Sequence, residues 1–141
     1  MLYKLLFIGT VVDSFATHIG LAGLRIYCGL SMALGHGMGK IRPSDGFAEG
    51  IADMGFPALQ FFAWAAGPLE FGGGILLALG IMTRPASLLI DVTMLLVAFI
   101  RHAADPFMHK KKALLFLAIA CGFALIGVGK YSLGRVISRA R

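Results

Sequence analysis

The chain has 141 residues, 58% of them hydrophobic and only 14% charged, with a mean hydropathy of +0.84. Water-soluble domains carry roughly 25% charged residues, so a soluble fold hiding this much apolar surface is excluded, and the surrounding solvent is expected to be lipid. The net charge of +6 does not mark a nucleic-acid binder, because the basic residues flank apolar runs and fill the C-terminal tail, where lipid headgroups receive them.

In chain order, residues 2–16 form a short apolar stretch that loosely imitates a signal peptide. A full apolar segment follows at once, so this stretch is read as an interfacial lead-in. A membrane-spanning helix needs about 20 mostly apolar residues. Four segments approach that length, at about 18–39, 59–82, 84–102 and 112–128. The first loop, from Lys40 to Ala58, repeats Phe47, Ile51 and Met54 at helical spacing after Ser44, which predicts a short amphipathic helix on the bilayer surface. Arg84-Pro85 places proline in the first turn of the third helix, and Gly127 with Gly129 closes the fourth. The expected fold is all-α, a single domain over 1–141 forming an integral membrane four-helix bundle.

Charge alone leaves the orientation open. With an even number of spans both termini share one side, which carries Lys4, Arg84, Lys130, Arg135, Arg139 and Arg141. The other side carries Lys40, Arg42, Arg101, Lys110, Lys111 and Lys112, so the positive-inside rule ties.

Three ionisable residues fall inside the apolar segments: Arg25, Glu70 and Asp91. Each costs roughly 2.5–3.5 kcal/mol at membrane depth, so such residues are expected to face the bundle interior and find partners. At a rise of about 1.5 Å per residue, Arg25 and Asp91 share one level, and Arg25 is expected to pair with Asp91 and extend toward Glu70. Small residues around Glu70 (Ala66, Gly67, Gly73, Gly74) predict close helix approach there, and Pro68 interrupts the helix beside it. At the opposite end, His36, Lys40, Arg101 and His102 form a second, basic cluster suited to an anion or to the carbonyl of a quinone. The competing readings are a structural ion pair for the first cluster and snorkelling interfacial bases for the second.

No metal site is expected, since no histidine or cysteine spacing supports one. Cys28 and Cys121 lack a C-x-x-C arrangement and are read as small core residues.

Several segments together carry a family resemblance. They are Leu24-Arg25, then Gly35-His36-Gly37-Met38-Gly39-Lys40, Met54-Gly55-Phe56-Pro57, Leu69-Glu70-Phe71-Gly72-Gly73-Gly74, Gly80-Ile81-Met82-Thr83-Arg84, and Gly127 to Leu133. In these the chain resembles the DoxX family of small four-helix membrane proteins, from about residue 20 to 134. Gly134 departs from the family pattern, which often has aspartate there. The resemblance implies a bacterial cytoplasmic (inner) membrane, multi-pass topology, cytoplasmic termini and an association with redox chemistry. Some relatives look like the small membrane subunit of a thiosulfate:quinone oxidoreductase.

Two classes of function follow as expectations. The first is an integral membrane subunit of a redox complex, assisting electron transfer linked to a quinone or a sulfur compound. It would have no intrinsic cofactor, with quinone as a ligand and a redox partner subunit or a second copy as companion. The second is a non-catalytic scaffold or assembly subunit held together by Arg25. A small oligomeric transporter is a third reading, weakened by the absence of an evident inverted repeat.

Overall fold

The computed structural model describes residues 14–42, 44, 46, 49 and 59–140. Most of the expected lead-in, and the expected amphipathic helix of the first loop, lie outside the described residues. Every regular element among the described residues is helical.

Helix α1 spans Phe15–Met32 and runs on through a π-helical turn, Ala33–Gly37, and a 3-10 turn, Met38–Lys40. Helix α2 spans Leu59–Leu79 with Pro68 inside it. Helix α3 spans Thr83–Leu96 and also ends in a π-helical turn, Val97–Arg101. Helix α4 spans Phe107–Ile126, and a short α5 spans Leu133–Arg139.

The boundaries follow from local chemistry. Met82 adopts a left-handed conformation (φ 47°), and Pro85 occupies the first turn of α3, where its missing N–H costs nothing. Helix α4 begins five residues earlier than expected, because Pro106 stands at its N-terminal cap and Lys110 to Lys112 join the first turns instead of a loop. Gly127 (φ 89°) ends it. The basic tail is helical too: Ser132 Oγ accepts a hydrogen bond from the Arg135 N–H at 3.2 Å, capping α5.

Consecutive helices pack side by side, α1 on α2, α2 on α3 and α3 on α4, while α1 and α4 touch only lightly. The α1–α2 crossing is very close. A Cβ on Gly74 would lie 2.6 Å from the Gly29 carbonyl oxygen and 2.7 Å from the Ala33 nitrogen, so only glycine fits. The interior cluster holds Cys28, Met32, Leu77, Ile90, Met94, Ala98, Ala120 and Phe123. Tyr27, Trp64, Phe99, Leu115 and Leu125 point outward and are exposed, a surface that lipid stabilises better than water.

By length and composition, one helix among the described residues is apolar enough to cross a membrane, Thr83–Arg101, and Trp64–Leu79 is a shorter apolar helix. The other two carry the polar cost of their own sequence. Helix α1 contains His18 and Arg25, and α4 carries three successive lysines, Lys110 to Lys112, in its first two turns.

Candidate functional site

The two π-helical turns frame the site. One carries His36, the other ends at Arg101. Such turns widen a helix locally and recur at functional sites. Between them lies a cavity of about 680 Å³, lined by the end of α1, by α2 from Phe61 to Glu70, by α3 and its π-helical turn from Val92 to Arg101 with His102 just beyond, and by α4 from His109 to Phe116. Its walls are predominantly apolar (Ala65, Leu69, Val97, Ile100, Phe116). Its polar end gathers His36, Lys40, Glu70, Arg101, His102, His109 and Lys112.

All four residues of the expected basic cluster, His36, Lys40, Arg101 and His102, therefore line one cavity. The structure adds Glu70 to them. Lys40 Nζ donates to both carboxylate oxygens of Glu70, at 2.9 and 2.8 Å, and Glu70 is 1% exposed. Sequence spacing placed Glu70 with Arg25 and Asp91 instead. The reason for the difference is the tight α1–α2 contact: a Cβ on Gly67 would collide with the Lys40 carbonyl, and one on Gly37 with the backbone of Phe71. That approach brings the lysine stem down onto the carboxylate.

Arg25 likewise makes no ion pair with Asp91. Its Nη1 donates to the Leu77 carbonyl at 3.1 Å and its Nη2 to the Tyr131 carbonyl at 2.8 Å. Leu77 lies in the last turn of α2, where its carbonyl also takes the Gly80 N–H at 3.0 Å and a cation is favoured by the helix dipole. Gly80 (φ 70°) makes room for this contact, since a Cβ there would collide with the guanidinium. Arg25 is thus a strut joining α1, the end of α2 and the segment before α5. Asp91 is buried at 8% exposure, and its Oδ1 makes no hydrogen bond to protein.

A third ionic group was not anticipated. Asp105 Oδ2 lies 2.6 Å from His102 Nδ1 and 3.6 Å from His109 Nδ1. The hydrogen bond from His102, with the field of both imidazoles, holds the exposed Asp105 carboxyl below the usual carboxylate range. The signal for this was present: Asp105, His109 and Lys112 recur at spacings of four and three, one helix face once α4 starts at residue 107. Cys28 is buried and Cys121 exposed, and both are free thiols.

Lys40 is neutralised by Glu70, whereas Arg101 and Lys112, both exposed, make no hydrogen bond or ion pair among the described residues. His36 meets the ring of Phe116 edge-on at 5.3 Å. The cavity thus combines an apolar body with two available cations and imidazole N–H groups at one end. It is shaped for an amphipathic ligand whose head accepts hydrogen bonds or carries negative charge.

The DoxX family model matches residues 20–103. The inner membrane protein YqjF of Escherichia coli (strain K12) is 34% identical over 109 residues, covering 73% of this chain and 81% of that protein. No solved structure matches. Gly134, where the family pattern often has aspartate, donates its N–H to the Gly80 carbonyl at 3.1 Å and is buried. A Cβ there would collide with that carbonyl, so this chain has no room for the acid.

Proposed function

This chain belongs to the DoxX family of membrane proteins, and from that premise we propose that it is an integral membrane subunit of a redox complex, binding the polar head of a quinone or a sulfur compound. The observation that carries this reading is the apolar cavity whose one polar end presents His36, Arg101, His102 and Lys112. A quinone is an apolar ring with two carbonyl acceptors: one carbonyl meets the polar end while the ring lies against the apolar walls. A sulfur oxyanion would use the same cations. The redox centre belongs to a partner subunit, and this chain's residues bind and orient the ligand.

In the same reading the chain forms a four-helix transmembrane bundle, multi-pass in the bacterial inner membrane, with cytoplasmic termini. The name of the Escherichia coli relative supports the location. The test is titration of a short-chain quinone into the purified chain in lipid nanodiscs. Arg101→Ala and His36→Ala should each weaken binding about tenfold, equivalent to about 1.4 kcal/mol. Equal affinity in both variants and the parent overturns the reading.

A second reading, a scaffold subunit, is favoured by Arg25, which joins three separate segments through main-chain carbonyls. In that case Arg25 variants lose the complex while cavity variants keep it.

A further inference from the structure

Helix α3 carries a line of buried polar side chains that the cavity does not use. Thr83, Ser87 and Asp91 are 1%, 0% and 8% exposed, and the Thr83 Oγ1, Ser87 Oγ and Asp91 Oδ1 atoms make no hydrogen bond to protein. Arg25 Nε, buried on α1, also has none. A hydroxyl on this helix can satisfy itself on the backbone, as Thr93 does by donating to the Ile90 carbonyl at 2.9 Å. Thr83 and Ser87 do not. Four polar groups left dry in one interior would cost several kcal/mol, which native folds avoid by hydrating them.

The spacing suits water. Residues four apart on a helix are separated by roughly 6 Å along its axis, about two hydrogen-bond lengths, so one water bridges each gap. The line starts at Thr83, the first residue of α3, beside the turn that holds Gly80 and the Arg25 strut. It ends at Asp91, one turn before Met94, which lines the cavity. Among the charged and titratable groups on the surrounding helices, Arg25 is committed to carbonyls and Glu70 to Lys40. Cys28 is buried in the same core, and Cys121 of α4 is exposed. His18 of α1 is buried and takes the Lys130 N–H on its Nδ1 at 3.4 Å, and Arg84 donates to the Leu125 carbonyl at 3.0 Å, while Cys28 is close enough to feel the Asp91 charge.

We propose that Thr83, Ser87 and Asp91 line a hydrated file inside the protein, running inward from the Tyr131 side, along which water and protons reach Asp91. The file brings protons from that side to within one helical turn of the cavity. No electron transfer is involved; a proton passes between the Asp91 carboxyl and bulk water through hydroxyls and water.

The test is a pH step on the full chain in lipid nanodiscs, followed by time-resolved infrared spectroscopy, with the Asp91 band assigned by its loss in Asp91→Asn. No quinone is present, so the outcome is independent of the ligand reading. Asp91 should follow the step rapidly in the parent chain and severalfold more slowly in Ser87→Val and Thr83→Val. The milder Ser87→Ala should also slow it, and Leu88→Val, on the exposed face of the same helix, should leave it unchanged. An Asp91 that does not respond at any pH where the fold persists overturns the proposal. So does a response equally fast in the parent and in all three file variants.

Discussion

Lys40 Nζ sits 2.8 and 2.9 Å from the two carboxylate oxygens of Glu70, thirty residues away, and this bidentate contact joins the end of α1 to the middle of α2 beside the cavity. Glu70 is fully buried while the Lys40 side chain keeps 23% exposure, so the pair is desolvated on one side only.

Removing one partner should therefore cost more than removing both. Glu70→Met is expected to destabilise the protein by about 3 kcal/mol, the low end for a broken buried pair because Lys40 retains some solvent. The double variant Lys40→Met/Glu70→Met should recover most of that loss. Reversible unfolding in mixed micelles completes the cycle, and purely additive costs would show that the pair is not coupled.

Arg25 should resist replacement even by lysine. A single ammonium cannot span the Leu77 and Tyr131 carbonyls as the planar guanidinium does. Arg25→Lys and Arg25→Met are each expected to lose roughly 2–4 kcal/mol, the cost of losing or misaligning two charge-assisted hydrogen bonds at a buried side chain. The same unfolding assay measures this, and a shift within error for Arg25→Lys would refute the strut role.

The α1–α2 crossing makes a sharper contrast between two glycines. Gly74→Ala places its Cβ within 2.6 Å of the Gly29 carbonyl oxygen and should destabilise by about 1–3 kcal/mol or more, since backbone must move. Gly20→Ala in α1 meets nothing within 4 Å and should be neutral or stabilising by about 0.5–1 kcal/mol. Thermal denaturation of both variants in one detergent decides it; equal losses would contradict the packing.

The Asp105 group gives a pH dependence of definite sign. Its carboxyl is held low in the folded state, first by the His102 hydrogen bond and then by the two imidazoles. A depressed folded value means the stabilisation is fully present above the unfolded carboxylate pKa of about 3.9, and is lost as pH falls through the folded value. Asp105→Asn should flatten this acid limb by lowering stability at neutral pH, by a small amount because the group is exposed, while leaving stability near pH 2 as in the parent. Stability measured from pH 6 down to about pH 2 tests it, and an unaltered acid limb in the variant would remove Asp105 from the account.

Legible in the order of residues alone were the helical class, the boundaries at Pro85 and Gly127, and the shared depth of His36, Lys40, Arg101 and His102 at one end. These follow from local rules: proline and glycine fix the backbone near themselves, and a helical rise converts residue number into depth. Sequence spacing did not decide which charge meets which. Depth put Arg25 level with Asp91, but the choice of partner depends on how closely two helices approach. That was set by Gly37 and Gly67, which draw Lys40 onto Glu70, and by Gly80, which opens the end of α2 to Arg25. The π-helical turns that present His36 and Arg101 are likewise properties of packed helices. Periodicity assigns a residue to a face and a level; only the tertiary contact, sub-ångström in its demands, assigns it a partner.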